Sequence, residues 1–202
     1  MNMHLSRAII PKKVAARRRV SDRYRWHQVA WEFFPGTDER NFIFRVDVFA
    51  EHFQLLLLSE MQAKAPEWVE RVQTKEVASS FLQKDAYQFD FWADVALSDA
   101  PKEGEKRGRV RSVNSDEDAL AWLQRKGGAH GFQITGAAVV QRRMERFWRK
   151  GAAGQVCAVH FQGTLQVKDH TLFTEAFQKG IGRGRSLGFG MLTLIPILNP
   201  TN

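Results

Sequence analysis

Between Gly180 and Gly190 the chain reads G-I-G-R-G-R-S-L-G-F-G, with five glycines in eleven residues. No helix or strand carries that density, because each glycine gives up the most backbone freedom on ordering and offers no side chain to pack. The stretch is therefore a loop. It joins a capped amphipathic segment, Asp169 to Lys179, to an apolar run, Met191 to Ile197. The order helix, glycines, strand excludes a P-loop, which runs from strand to helix and needs Gly-Lys-Ser/Thr. A dinucleotide fingerprint is excluded for the same reason, and its third glycine is missing. Arg183 and Arg185 add positive charge to the open amides of Gly182 and Gly184, which suits a polyanion passing over the loop. A flexible connector is the other reading of the same composition.

Upstream, the hydrophobic period switches repeatedly between two and 3.6. Leu5 to Ile10 reads as a strand, and P-K-K-V-A-A-R-R-R-V after it as a solvated loop. Ser21-Asp22 caps a helix that runs to about Phe34, where Pro35-Gly36 ends it. Asn41 to Phe49 and His52 to Ser59 are strands about a tight Ala50-Glu51 turn, Pro66 to Gln73 a short helix, and Lys75 to Leu82 a fourth strand. A second series follows: strand Tyr87 to Leu97, a polar mobile insertion Ala100 to Arg111, helix Asp116 to Lys126 stopped at Gly127-Gly128, strands Phe132 to Trp148 and Gln155 to Val167, and the final helix and strand. Each series reads β-α-β-β-α-β, so the expected fold is α+β: two tandem ferredoxin-like domains, 1–84 and 85–202, the second carrying the glycine-rich loop.

Thirty Lys and Arg against 22 Asp and Glu leave a net charge of +8, which points to nucleic acid or another anionic surface. The single Cys157 excludes an internal disulfide and a multi-thiolate zinc site, and its setting in Q-V-C-A-V is that of a small core residue. Six scattered histidines make no metal-binding spacing, so no metal and no cofactor are expected. Asp90 and Asp94 share a strand face, a commonplace arrangement. The start of the chain has no signal-type apolar region and no run is long enough to span a membrane, so a cytoplasmic location is expected.

On the helix that begins at Asp22, Trp26, Val29, Ala30 and Phe33 share one face, and Tyr24, His27, Gln28 and Trp31 take the opposite one. The histidine thus lies off the core stripe, one turn from a phenol. RNA can be cut without metal, since its 2′-hydroxyl attacks the adjacent phosphorus. The protein need only take one proton, give one to the 5′-oxygen and steady the phosphorane charge. A near-neutral imidazole suits the proton steps and Arg or Lys the charge. An inert exposed histidine fits the same pattern.

The arm Q-R-R-M-E-R-F-W-R-K-G-A-A-G, Gln141 to Gly154, carries Arg142, Arg146 and Lys150 on one strand face and Arg143 and Arg149 on the other. A ribbon basic on both faces buries neither well and is expected to project.

The segments D-R-Y-R-W-H-Q-V-A-W-E-F-F-P-G (22–36), A-W-L-Q-R-K (121–126) and G-I-G-R-G-R-S-L-G-F-G-M-L-T-L-I-P (180–196) resemble, in order, the motifs of the CasE-type CRISPR repeat endoribonucleases of type I-E Cascade. The resemblance runs from the first strand to Pro196. It implies that His27 is the main catalytic residue and Tyr24 its assistant, and that the product is a crRNA with a 2′,3′-cyclic phosphate on its 3′ stem-loop, made without metal. It further implies that the arm grips the stem-loop and that the chain keeps its product as a subunit among the other Cascade proteins. With the Arg17–Arg19 run beside the catalytic helix and the glycine loop, the expected RNA-contacting residues are Arg17, Arg18, Arg19, Gln28, Arg142, Arg143, Arg146, Arg149, Lys150, Gly182, Arg183, Gly184, Arg185 and Ser186. Two other readings stay open on the residues alone: a catalytically silent RNA-binding subunit of the same fold, and an enzyme acting on a small phosphorylated metabolite.

Overall fold

The computed structural model describes residues 2–98, 110–149 and 151–198. Lys150 and residues 99–109, most of the expected insertion, lie outside them. In chain order the elements are β1 (Met3–Pro11), α1 (Lys12–Arg17), α2 (Arg23–Glu32), β2 (Phe42–Val48), β3 (His52–Ser59), β4 (Val72–Val77), β5 (Ala86–Asp94), β6 (Ala96–Ser98), β7 (Val110–Ser112), α3 (Asp116–Ala129), β8 (Phe132–Arg149), β9 (Ala152–Val167), α4 (His170–Lys179) and β10 (Leu192–Pro196). They build two four-stranded sheets, β2-β3-β1-β4 and β10-β5-β9-β8, antiparallel at every pairing, with β6 and β7 as a separate ribbon.

Alternation decides which face each strand shows. In β2, Phe42, Phe44 and Val46 point into a core with Trp26, Val29, Ala30 and Phe33 of α2. Ile43, on the other face, joins Leu58 and Met3 in a core that continues through Phe89, Phe91, Phe161, Trp122, Phe173 and Phe177. The first sheet is thus covered on both faces, by α2 and by the second half of the chain, which is why β2 reads as an unbroken apolar run. Arg45 is the polar exception. Buried on the Ile43 face, it donates to Asp47 and forms an ion pair with Asp90 of β5, which His160 also contacts at 2.8 Å. The acid on β5 that looked commonplace is a tie between the sheets.

Four expected elements differ. Lys12–Arg17 is a helix, not a loop; it buries Ala15. Pro66 to Gln73 is not a helix: Val69 N donates to Pro66 O in a single turn, Trp68 Nε1 donates to Glu32 Oε2 at 2.6 Å, and Val69 is buried. The apolar spacing that suggested a helix is used to pin one turn against α2, and too few residues remain before β4 for a second turn to form. The fourth strand accordingly starts and ends earlier, at Val72–Val77, with a 3-10 turn over Ser79–Gln83. Finally, α3 passes through Gly127-Gly128 to Ala129, because a Cβ at Gly127 would sit 2.9 Å from the Phe132 carbonyl and only glycine lets β8 start that close.

The glycine-rich loop is held on every side. Ile181 N donates to Gly190 O and Gly190 N to Trp92 O, both at 2.8 Å, and Arg183 bridges to Asp94. At Gly188, φ is +84° and a Cβ would lie 2.8 Å from the Phe44 ring. The vacant Cβ positions at Gly182 and Gly184 face Trp122, and Asp94 with Phe189. The missing side chains therefore make room for the chain's own packing between the two sheets, where the sequence suggested room for a ligand.

Candidate nucleic-acid interface

α2 is capped by Asp22, whose carboxylate accepts from Arg25 N at 2.9 Å. The same carboxylate accepts from Trp148 N of β8 at 3.3 Å. One residue on, buried Arg23 forms an ion pair with Glu145 of β8 and lies over the Phe189 ring at 4.7 Å. Glu145 also accepts from Arg143, whose guanidinium stands 4.7 Å over Trp92. Three distant segments are thereby clamped together: the first turn of α2, the base of the arm and the glycine loop. Trp92, Val156, Ala158, Leu187 and Phe189 fill the space beneath them, with Tyr24 and Phe147 packed alongside.

The arm is therefore not free on both faces. Arg143, Glu145 and Phe147 face α2 and the loop, and Arg142, Met144, Arg146 and Trp148 face solvent. The bulges after Ile134 and Val139 precede this stretch and set its phase. The expectation of a ribbon that buries neither face holds only for the outer one, because Glu145 pairs with Arg143 on the inner face and with Arg23 of α2.

Over this clamp sit Tyr24 and His27. Their rings are 5.8 Å apart between centroids and 28° from parallel, and Arg149 at the end of β8 stands 5.9 Å over Tyr24. The Trp31 indole lies edge-on to His27, and its Nε1 donates to His27 Nε2 at 3.3 Å. An indole N–H can only donate, so Nε2 is the unprotonated nitrogen. His27 Nδ1 is buried, and the Ser186 backbone approaches the imidazole outside hydrogen-bonding geometry. Burial holds the His27 pKa below its ordinary 6.5, and the charges of Arg40 and Arg149 push it the same way. The free site thus presents a neutral imidazole among cations.

The other predicted residues separate into engaged and open groups. Arg18 makes a bidentate pair with Glu32, both distances 2.9 Å, and covers Trp68 at 4.3 Å. Arg185 donates to the carbonyl of Lys179, the last residue of α4, at 3.2 Å, a helix-capping contact. Arg142 stands 3.7 Å from Asp116, and Gln28 accepts from Arg25 at 3.0 Å. Arg17, Arg19, Arg146, Arg149 and Arg183 are exposed. Arg17 and Arg19 are not among the groups that the fold brings to His27. Arg40, Arg23 and Glu145 are functional candidates that the sequence reading passed over. Arg40 lies in T-D-E-R-N, which has no period to read. Glu145 had a signal, as the one acid in Gln141–Lys150.

Among the described residues no group of three or more His, Cys, Asp or Glu side chains gathers as metal ligands do, and no helix is long and apolar enough to cross a membrane.

The family described as CRISPR associated protein matches residues 3–196 of the chain. The Cascade subunit CasE of Escherichia coli K12 is 27% identical over 205 residues, 96% of this chain and 100% of that one. Among solved structures, Cas6e from E. coli K-12 superposes with a TM-score of 0.73 at 25% identity, covering 96% of this chain and 100% of that one. Thermus thermophilus Cse3, solved bound to an RNA representing a pre-cleavage complex, superposes with a TM-score of 0.81 at 21% identity, covering 97% and 100%.

Proposed function

The chain belongs to the CRISPR-associated protein family, and from that premise we propose that it is an endoribonuclease that cuts pre-crRNA repeats beside a stem-loop without a metal and keeps the product as a Cascade subunit. The observation that carries the reading is the Tyr24–His27 face itself. A neutral imidazole stands beside a phenol, under Arg149 of a basic arm and within the field of Arg40. The names of its relatives, CasE and Cse3 endoribonuclease, support the substrate and the assembly. The strand orders support the tandem ferredoxin-like description: both sheets run fourth-first-third-second in their own series. The first half lacks the second helix of that plan. We take 1–84 and 85–202 as the two domains, with the shared core as their interface, and the cytoplasm as their setting.

His27 takes the 2′-hydroxyl proton at Nε2, once RNA replaces the Trp31 indole there. The 2′-oxygen attacks phosphorus, the bond to the 5′-oxygen breaks, and that oxygen leaves as a hydroxyl on receiving the proton back from the His27 imidazolium, which returns to its neutral form. The products are a 2′,3′-cyclic phosphate and a 5′-hydroxyl end, and no water is consumed. Tyr24 orients the reacting phosphate, and Arg149 steadies its extra negative charge. The outer arm residues Arg142 and Arg146, with Lys150, grip the stem. Arg143 shapes the arm from within. Arg17, Arg19 and Arg183 extend the phosphate track, with Gly182, Gly184 and Ser186 backing it. Arg18 and Gln28 reach RNA only by exchanging the partners they now hold, whereas Arg185 keeps guanidinium N–H groups beyond the one that donates to Lys179 O.

Incubation of a stem-loop repeat RNA in EDTA tests the function, with a 2′-deoxy sugar at the cut as control. Cleavage of the first and not the second is expected; cleavage of both overturns the mechanism. Binding without any cleavage leaves the silent-subunit reading. Affinity should fall by roughly three orders of magnitude between 50 and 200 mM salt if about six phosphates are engaged. A small phosphorylated metabolite would show a far flatter dependence.

The imidazole makes a separate prediction. In RNA-free protein, NMR titration of His27 should give a midpoint below 6.5, and Arg40→Ala should move it upward by removing a repelling charge. The neutral base then persists to mildly acidic pH, so the acid limb of kcat/KM lies below 6.5 as well. A midpoint above 6.5 would show that a carboxylate or carbonyl, not burial, governs the group.

A further inference from the structure

A groove of about 560 Å³ opens beside the site between the loop before β2, the start of β1, the end of α4 and the glycine loop. Arg40 and Arg185 both line it, and no residue of the arm does. Arg40 is part-buried, and among the described residues no carboxylate pairs with it. The charge that bears on it is that of Arg185, a like charge. A part-buried guanidinium next to a second one, with no acid between them, is a costly arrangement unless an anion completes it. The groove's carboxylates do not supply that anion. Glu175 is taken by Lys179 at 2.6 Å, and Glu60 is exposed. Asn41 and Gln178 add neutral donors and acceptors to the wall, which suits a base edge beside a phosphate. The volume is that of a small-molecule pocket, enough for a nucleotide or two.

Two sources of positive charge thus bear on one imidazole: Arg149 from the arm, over the neighbouring Tyr24, and Arg40 from the groove. RNA that lies along the arm as far as His27 has to leave by another path, and the groove is the path that begins at Arg40. We propose that this groove binds the single-stranded RNA just downstream of the cut, with Arg40 and Arg185 on its first phosphate. The assignment rests on the function proposed above, in which the stem on the arm lies upstream of the cut. It follows that the strand carrying the new 5′-hydroxyl is held by few contacts and departs, and the stem stays on the arm.

The test uses two uncleavable RNAs with a 2′-deoxy sugar at the cut position, one ending at the nucleotide after the cut, so that it keeps the scissile phosphate, and one continuing for three nucleotides more. Their affinities are measured for the wild type and for Arg40→Ala at fixed salt. The wild type should bind the longer RNA about tenfold more tightly, the size of one charge-assisted phosphate contact. Arg40→Ala should erase most of that difference and leave the affinity for the shorter RNA unchanged, which also shows that the variant is folded. Equal weakening of both RNAs, or an unchanged ratio, overturns the downstream site while leaving the endoribonuclease reading intact. A wild type that binds neither RNA overturns both.

Discussion

His27→Ala should cut a stem-loop repeat RNA roughly a thousandfold more slowly than the wild type, within the range of 10²–10⁴ for loss of a general acid–base group. Its affinity for the same RNA should change little. The argument is one of place and charge. His27 lies off the α2 core stripe, so its removal opens no cavity in the Trp26, Val29 and Phe33 packing. Burial and two neighbouring arginines keep it neutral, so it adds little to the attraction for phosphate in the free protein. Its contribution is therefore to the barrier and not to binding, which predicts a fall in the single-turnover rate at saturating protein with an unchanged Kd. Tyr24→Phe keeps the ring under Arg149 and loses only the hydroxyl, so its defect should be smaller. A His27→Ala protein that cuts as fast as the wild type would remove the imidazole from the mechanism. One that no longer binds would make it an anchor for RNA.

Much of this site was legible before any fold was known, because it lies on one helix. The wheel that separated Trp26 from His27 depends only on a 3.6 period, and the helix that carries them starts at the predicted Asp22 cap. The glycine stretch announced a loop between a helix and a strand, and the two long strands of the arm were readable from alternation and a glycine turn. What stayed hidden was pairing across sequence distance. Nothing local says that Arg18 will meet Glu32 and Trp68, or that Arg185 will cap α4, so a charge run looked like an RNA track when one member of it was already engaged. The Pro66–Gln73 segment misled for the opposite reason. Its apolar spacing is real, but three apolar residues can serve a pinned turn as well as a helix, and Trp68 hydrogen-bonds Glu32 in the turn. Arg40 could be found only in three dimensions, since its importance is that the fold carries it to an imidazole thirteen residues away in sequence.

Loss of the Arg23 side chain should damage the protein more broadly than any other single change near the site. Arg23→Ala leaves the part-buried Glu145 with only Arg143 to answer it, and removes the guanidinium that covers Phe189. Deleting one partner of a buried pair commonly costs about 3–5 kcal/mol, and the remaining Arg143 contact places the loss here nearer roughly 3 kcal/mol. For a chain of this length that is a fall in Tm of roughly 6–12 °C. The pH dependence identifies the cause. Burial alone would raise the Glu145 pKa, but hydrogen bonding and charge from Arg23, with Arg143, outweigh it and hold the carboxyl below its ordinary 4.5. A depressed carboxylate stabilises the fold above its unfolded pKa and loses that contribution as pH falls through the folded value. The stability gap between wild type and Arg23→Ala should therefore be full near neutrality and shrink below pH 4.5. A gap that is constant with pH would assign the loss to packing on Phe189 instead. Activity should fall along with stability, because the same pair joins α2 to the arm that brings Arg149 over Tyr24. A displacement of about 1 Å between such groups can cost about a hundredfold in rate. Pairing Arg23→Leu with Glu145→Leu separates the two effects: an apolar contact of similar volume should restore much of the stability, since a buried ion pair seldom outperforms one. If cleavage recovers with it, the clamp acts through position alone; if it does not, the charge of Glu145 is itself needed to hold Arg143 on Trp92.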